Sequence, residues 1–425
     1  MNFKKTTLDN GLRIITAPQP GNQAVTILVL VEAGSEYETK EINGLSHFLE
    51  HLVFKGTKRR PKAIDISAEL DGIGAIYNAF TGQEYTGYFA KADKGHFEKI
   101  LDVVSDMYLN PIFDPAEIDK ERGVIVEEIN MYEDLPMRRV YEVFAELLYG
   151  DEPAGWSIAG EKEVIRRLTR DDIVRYRSKH YLAGSTVVVV SGAIDEEEVI
   201  KKISATFAEM PLGEKPVKPE MRESQTAPAM LLKTKETDQT HLVLGVRGFD
   251  VFDKRRYAVE VLADMLGGGM SSRLWQKIRD EMGAAYYVRA GVDLFIDHGY
   301  LAVGAGVDHR KIKEVIEAVV NEFKEIKSGK FAVAELQRAK EHLVGHLMLG
   351  IETSDALAGF YGLQEIITGK ITTPEEIAKK VQAVKKDDII DVAKELFQNE
   401  KLNLAIISPL KKEAEEELQS ALKIA

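Results

Sequence analysis

Two spacings of apolar residues run through the chain. Short stretches rich in Val, Ile and Tyr, such as Val25 to Val31 and Val187 to Val190, predict strands, whereas apolar positions three and four apart over Ile312 to Ile326 and Val333 to Met348 predict amphipathic helices. The opening residues read as a strand, a turn at Asp9, Asn10 and Gly11, and a second strand. Over Ile76 to Ala90 two strands follow one another closely, with Gly82 and Gln83 placed as a hairpin connection. Strands that succeed one another without an intervening helix favour α+β layers, a mainly antiparallel sheet with helices packed against it, over a doubly wound parallel sheet.

The pattern breaks between Met210 and Met230, where Pro211, Pro216, Pro219 and Pro228 stand among charged residues. Such a segment reads as an extended linker. The sequence on its two sides repeats. Leu168 to Val174 recurs as Val384 to Ile390, and the apolar strand at 187 to 190 recurs near 403 to 407, both at an offset of 216; Ile27 to Leu30 matches His241 to Leu244 at 214. One fold used twice is the expectation: a domain over 1–212, a linker over 213–228 and a homologous domain over 229–425.

Composition narrows the chemistry. The chain has 425 residues and a formal charge of −13 from 56 Lys and Arg against 69 Asp and Glu, a balance that argues against nucleic acid, whose binding rests on phosphate neutralisation. There is no cysteine, so a bound metal must use histidine and carboxylate ligands, and a thiol nucleophile is excluded. Apolar runs are far shorter than the roughly 18 residues of a membrane span. No secretory signal is visible at the start, so a cytoplasmic location without membrane contact is expected.

The stretch from Asn43 to Thr57 carries the candidate chemistry. At about 100° per residue Leu45, Phe48, Leu49 and Leu52 form one face of a helix, while His47, Glu50 and His51 project from the opposite side; Gly56 sits where a C-cap glycine stops a helix. Two histidines four residues apart reach one Zn²⁺, and a carboxylate in the same turn is placed to serve as general base.

This H-x-x-E-H order is the mark of the inverzincins, and with its surroundings the whole chain resembles the pitrilysin and mitochondrial processing peptidase family of zinc endopeptidases. In that family a downstream Glu is the third zinc ligand, with another Glu seven residues before it. The match here is Glu128, 77 residues after His51, with Glu121 seven residues earlier; Glu127 competes. Seven residues are two helical turns, so Glu121 and Glu128 share a face and Glu127 is turned away by about 100°. The resemblance thus implies one Zn²⁺ per chain held by His47, His51 and Glu128, with Glu121 orienting a ligand histidine. It also implies that Asn78, Ala79 and Phe80, in Tyr77 to Thr81, lie on an edge strand that pairs with a peptide substrate.

The second half keeps no such metal set: at the 214 offset, His47 to His51 falls on Val261 to Met265. It has instead a glycine-rich turn at Gly267 to Leu274, followed by Arg279 and Tyr286, which resemble the family's pair that stabilises the oxyanion. His342 and His346 are also four apart but have no glutamate between them, and read as ordinary helix histidines. Together these features imply a zinc metalloendopeptidase with Glu50 as general base, working on unfolded peptides within paired chains. A homodimer is the expected pairing, with a different partner chain left open. The alternative use of the fold is a non-catalytic assembly subunit, like the core subunits of the respiratory cytochrome bc complex, and a metal assay separates the two.

Overall fold

A computed structural model describes residues 2–424. The first of its two compact units contains the chain up to Asn130 together with Ser157–Pro219 and Met348–Thr373; the second contains Met131–Trp156, Glu220–Leu347 and the chain from Pro374 onward. In the first, the strands are β1 (Lys4–Thr7), β2 (Arg13–Pro18), β3 (Ala24–Val31), β4 (Ile76–Thr81), β5 (Thr86–Asp93) and β6 (Thr186–Gly192). They form one sheet in the order β1-β2-β6-β3-β5-β4, antiparallel except where β2 and β6 run parallel. The second unit holds β7 (Ala229–Thr234), β8 (Thr240–Arg247), β9 (Ala285–Leu294), β10 (Gly299–Val307) and β11 (Leu402–Ser408). Their order is β7-β11-β8-β10-β9, with β7 and β11 parallel and the other pairs antiparallel. Removing β1 makes the two orders superimpose, so the architecture is α+β and duplicated.

The two units are not simple halves of the chain. In the first sheet β6 is buried along its whole length and β3 along all but its first residue, so both faces of the sheet need a cover. Successive side chains point to opposite faces. Val25, Ile27, Val29 and Val31 join the core formed with helices of the first half of the chain. Leu28 and Leu30 face the other way, and there the Ser354–Thr368 helix packs, drawn from the second half of the sequence. The Oγ1 of Thr26 and the Oγ of Ser354 share a hydrogen bond of 2.8 Å at its start. Reciprocally, the Pro136–Tyr149 helix of the first half lays Val140, Val143, Phe144 and Leu148 on Val243, Ala405 and Ile407 of the second sheet. Each half lends the other one covering helix. The proline-rich segment contains one of the places where the chain passes between units, after Pro219, and a division there alone leaves this exchange out, because helical periodicity specifies an apolar face and not the sheet it covers.

The segment from 211 to 228 forms no helix or strand, as its prolines predict. It is nevertheless fastened: Lys218 is buried, with its Nζ 2.7 Å from Glu84 and also paired with Glu36.

The exchanged helix is testable at Gly362, where a Cβ would lie 2.6 Å from Leu30 Cδ1 and 3.0 Å from Val189 Cγ2. Alanine gains about 1 kcal/mol of helix propensity, which offsets part of the crowding, whereas valine adds bulk with little such gain. Gly362→Val should destabilise the first unit by about 1–3 kcal/mol, read as a lowered midpoint in thermal or urea unfolding. An unchanged midpoint would mean that this helix does not cover the sheet.

Candidate metal centre

The helix that bears the H-x-x-E-H motif runs over Leu45–Val53 and ends three residues short of Gly56. Its apolar face is the expected one, with Leu45, Phe48, Leu49 and Leu52 at most 1% exposed. Its start is held by a carboxylate that the motif does not include. Glu38 is buried and accepts hydrogen bonds from the backbone N–H groups of Gly44 (2.7 Å) and Ser46 (2.6 Å) and from the Asn43 side chain (3.1 Å). A carboxylate at a helix N-terminus satisfies donors that lack an intrahelical partner. Burial pushes the Glu38 carboxyl up to about 7, against the pull of those donors. Gly44 itself has φ +94°, and a Cβ there would lie 2.7 Å from the carbonyl oxygen of Ala159, so the position requires glycine.

Opposite this helix lies the Pro115–Glu133 helix, which turns Glu121 and Glu128 towards it and leaves Glu127 exposed. One Glu128 oxygen is 3.4 Å from His51 Nε2 and 3.6 Å from His47 Nε2. His47, His51 and Glu128 each offer a ligand atom within 4.8 Å of the others. The His51 Nδ1 is 3.1 Å from Glu121, whose other oxygen is 2.7 Å from Lys55 Nζ. Since an ionised carboxylate can only accept, Glu121 fixes the hydrogen of His51 on Nδ1 and turns Nε2 towards Glu128 and His47. Glu50 points from the same helix to β4, where Thr81 Oγ1 donates a 2.5 Å hydrogen bond to it.

The electrostatics follow from crowding three carboxylates around two imidazoles. Burial alone would lower the pKa of His51, but its hydrogen bonds to Glu121 and Glu128 more than offset this and push it up to about 9. Burial raises the Glu50 carboxyl, only partly opposed by Thr81 and by the charge of His51, with Glu128 adding to the rise. Glu121 is lowered, since His51 and Lys55 outweigh its burial. A cluster that retains a proton on His51 is one that attracts positive charge, and two imidazole nitrogens plus one carboxylate are the donor set of many catalytic zinc sites. The residues therefore fit a zinc ion.

The remaining predicted residues occupy two places. Asn78, Ala79 and Phe80 lie on β4, which ends its sheet and among the described residues pairs only with β5; the Oδ1 of Asn78 accepts from the N–H of Ala79 at 2.9 Å. Arg279 and Tyr286 belong to the second unit, Arg279 on a π-helical stretch, Trp275–Glu281, and Tyr286 on the edge strand β9. The guanidinium carbon of Arg279 is 5.3 Å from the centre of the Tyr286 ring and 4.7 Å from that of Trp275, so the pair is brought together; Tyr286 is 70% exposed. Sequence reasoning missed two contributors. Thr81 ends the Asn-Ala-Phe-Thr segment, so its nearness to Glu50 had a signal, whereas Glu38 had none.

Comparison with known proteins places these observations in a family. The family described as "Insulinase (Peptidase family M16)" matches residues 13–162, and "Peptidase M16 inactive domain" matches 167–343, consistent with a second half that lacks the metal set. An uncharacterized zinc protease of Bacillus subtilis, YmxG, is 36% identical, covering 96% of this chain and 98% of its own length. An uncharacterized zinc protease of Streptomyces coelicolor is 34% identical over 99% of this chain and 92% of its own. The fold is also that of a protease from Helicobacter pylori, with a TM-score of 0.89 at 23% identity over 96% of this chain and 99% of that one. With identity at this level along nearly its full length, the chain belongs to the insulinase, or M16, family of peptidases.

Proposed function

We propose that the chain is a zinc-dependent endopeptidase of unfolded peptides. The observation that carries this reading is the convergence of His47, His51 and Glu128 with Glu50 beside them on the same helix. Zinc, when bound, supplies Lewis acidity to the attacking water and to the scissile carbonyl. His47, His51 and Glu128 hold it, and Glu121 keeps His51 in the tautomer that binds. Glu50 takes the proton of the attacking water and passes it to the leaving amine, with Thr81 keeping the receiving carboxylate in place. The peptide adds as a strand to the open edge of β4 along Asn78, Ala79 and Phe80, a mode that requires an extended, unfolded substrate. Arg279 and Tyr286 stabilise the negative charge that develops on the carbonyl oxygen.

The working form in this proposal is a homodimer enclosing the peptide in a chamber, in which Arg279 and Tyr286 serve the metal centre of the partner chain. A two-fold axis presents the same surface from both protomers, so a site split between chains is completed twice.

Purified protein should contain stoichiometric zinc and cleave unstructured peptides; protein without zinc would favour the assembly-subunit reading instead. Glu50→Gln should retain zinc and lose about 10²–10⁴-fold in turnover. Loss of zinc in that variant would overturn its assignment as the base. Zinc affinity should fall in Glu128→Gln and hold in Glu127→Gln, measured by competition with a chelator, and equal retention in the two would remove Glu128 from the ligand set.

The trans arrangement is tested with two inactive proteins. After subunit exchange between Glu50→Gln and Arg279→Ala chains, each mixed dimer has one site with both lesions and one with neither. Random exchange then restores roughly a quarter of wild-type activity. No recovery, with mixed dimers verified by mass, would place Arg279 in its own chain's site or outside the reaction.

A further inference from the structure

The second unit holds a polar cluster at the place that corresponds to the metal centre of the first. Its Arg256–Gly267 helix buries Val259, Leu262, Ala263 and Leu266 as the metal-site helix buries Leu45, Phe48, Leu49 and Leu52, an offset of 214 at every position. That register sets Asp264 at the position of Glu50. Just before the Val333–Gly350 helix Phe331 is buried, and within it Leu336, like Phe113 and Ile118 before and within the Pro115–Glu133 helix, an offset of 218 that sets His346 at the position of Glu128. One turn before it stands His342. The spacing reads these histidines as ordinary helix residues, and the structure adds a carboxylate partner for His342.

His342 Nδ1 is 2.7 Å from Asp264 Oδ1, and the His342 and His346 ring centres are 4.2 Å apart. The Asp264 side chain is 9% exposed and that of His342 34%, while His346 is exposed. The carboxylate accepts the Nδ1 hydrogen, which leaves Nε2 of His342 as a lone-pair donor, the same device by which Glu121 sets His51. The Nε2 is kept uncovered by a glycine: a Cβ on Gly269 would lie 3.3 Å from it. Against Gly269, Asp264 and His342 opens a cavity of about 40 Å³, which Ser272 and Arg338 also line, the Arg338 guanidinium donating to the Ser271 carbonyl oxygen at 3.4 Å. The Oγ of Ser272, in a residue 7% exposed, has no hydrogen-bond partner among the described residues. A buried hydroxyl without a partner is costly, and a water or ion ligand in the cavity would satisfy it. Glu335, at the same cavity, is already neutralised by Arg273 at 2.8 Å and adds little charge of its own.

We infer that His342 and His346, with Asp264 as the residue that orients His342, form a second metal site, selective for a transition-metal dication such as Zn²⁺ or Ni²⁺. Two histidines four apart on one helix face reach a common ion, and imidazole donors favour Zn²⁺, Ni²⁺ and Cu²⁺ over Mg²⁺ and Ca²⁺.

The test uses the full-length chain without a histidine tag and with His47→Ala and His51→Ala, so that it does not depend on the proposed peptidase site. Calorimetric titration with Ni²⁺ should show one saturable equivalent that Mg²⁺ does not displace. Adding His346→Ala, at an exposed position that leaves packing intact, should abolish that equivalent. Adding Asp264→Asn should weaken it by about 10–100-fold, the range for a residue that orients a ligand. In the otherwise unaltered chain, His346→Ala should keep peptide cleavage and lose one equivalent of bound Ni²⁺. Absence of saturable Ni²⁺ binding in the His47, His51 variant, or binding there that survives His346→Ala, would overturn the inference.

Discussion

Both faces of the central strands must be covered, and the placement of the chemistry follows from that demand. β3 and β6 present apolar side chains on either side, so a helix on each face is obligatory. On one side the Leu45–Val53 helix contributes to the core through four large apolar residues, each worth about 1.5–3 kcal/mol when fully buried. Rotating that helix would expose them and drive His47, Glu50 and His51 into the core, where unpaired polar groups are penalised. The packing thus dictates which way the polar side chains point, towards the Pro115–Glu133 helix and the edge strand β4.

Electrostatics then sets the state in which those side chains wait. Glu50, Glu121 and Glu128 bring three carboxylates to two imidazoles, and Lys55 pairs with Glu121. Hydrogen bonds to Glu121 and Glu128 outweigh burial and raise the pKa of His51, which favours a positive charge at this place. A dication supplies that charge more effectively, because it is attracted by the carboxylates and bound by the imidazole lone pairs at once. Burial raises the Glu50 carboxyl, with the charge of Glu128 adding to the rise, and that is the direction the proposed role of general base requires.

What the sequence disclosed depended on how local each relation is. The apolar face of the Leu45–Val53 helix is a matter of helical period within one segment, and period is legible in a single chain; Glu128 came from the family resemblance, and period added only that it shares a face with Glu121. The repeat was legible as well, since Leu168 to Val174 and Val384 to Ile390 start equivalent helices, Arg170–His180 and Lys386–Leu396. Three relations were not legible because they join residues whose approach depends on tertiary packing. The exchange of the Pro136–Tyr149 and Ser354–Thr368 helices is one. The capping of Gly44 and Ser46 by Glu38 is another, since a loop carboxylate has no period to betray it. The Asp264 to His342 contact, which spans 78 residues, is the third.

Duplication gives these facts a common cause. A repeated unit must preserve the apolar positions on which its core depends, and the buried faces of the Leu45–Val53 and Arg256–Gly267 helices correspond residue by residue. Positions that point away from the core carry no such constraint. At the corresponding positions the first unit has two histidines and a glutamate, while the second has Val261, Asp264 and Met265, of which Val261 and Met265 are drawn into the core. The change removes the metal set without cost to packing. It does not remove the polar space between the two corresponding helices, because the opposing helix still carries polar residues there and an aspartate still answers them. In the second unit that space is filled by His342 and Asp264 in mutual contact, so the arrangement of one carboxylate holding one imidazole survives although the residues have exchanged helices.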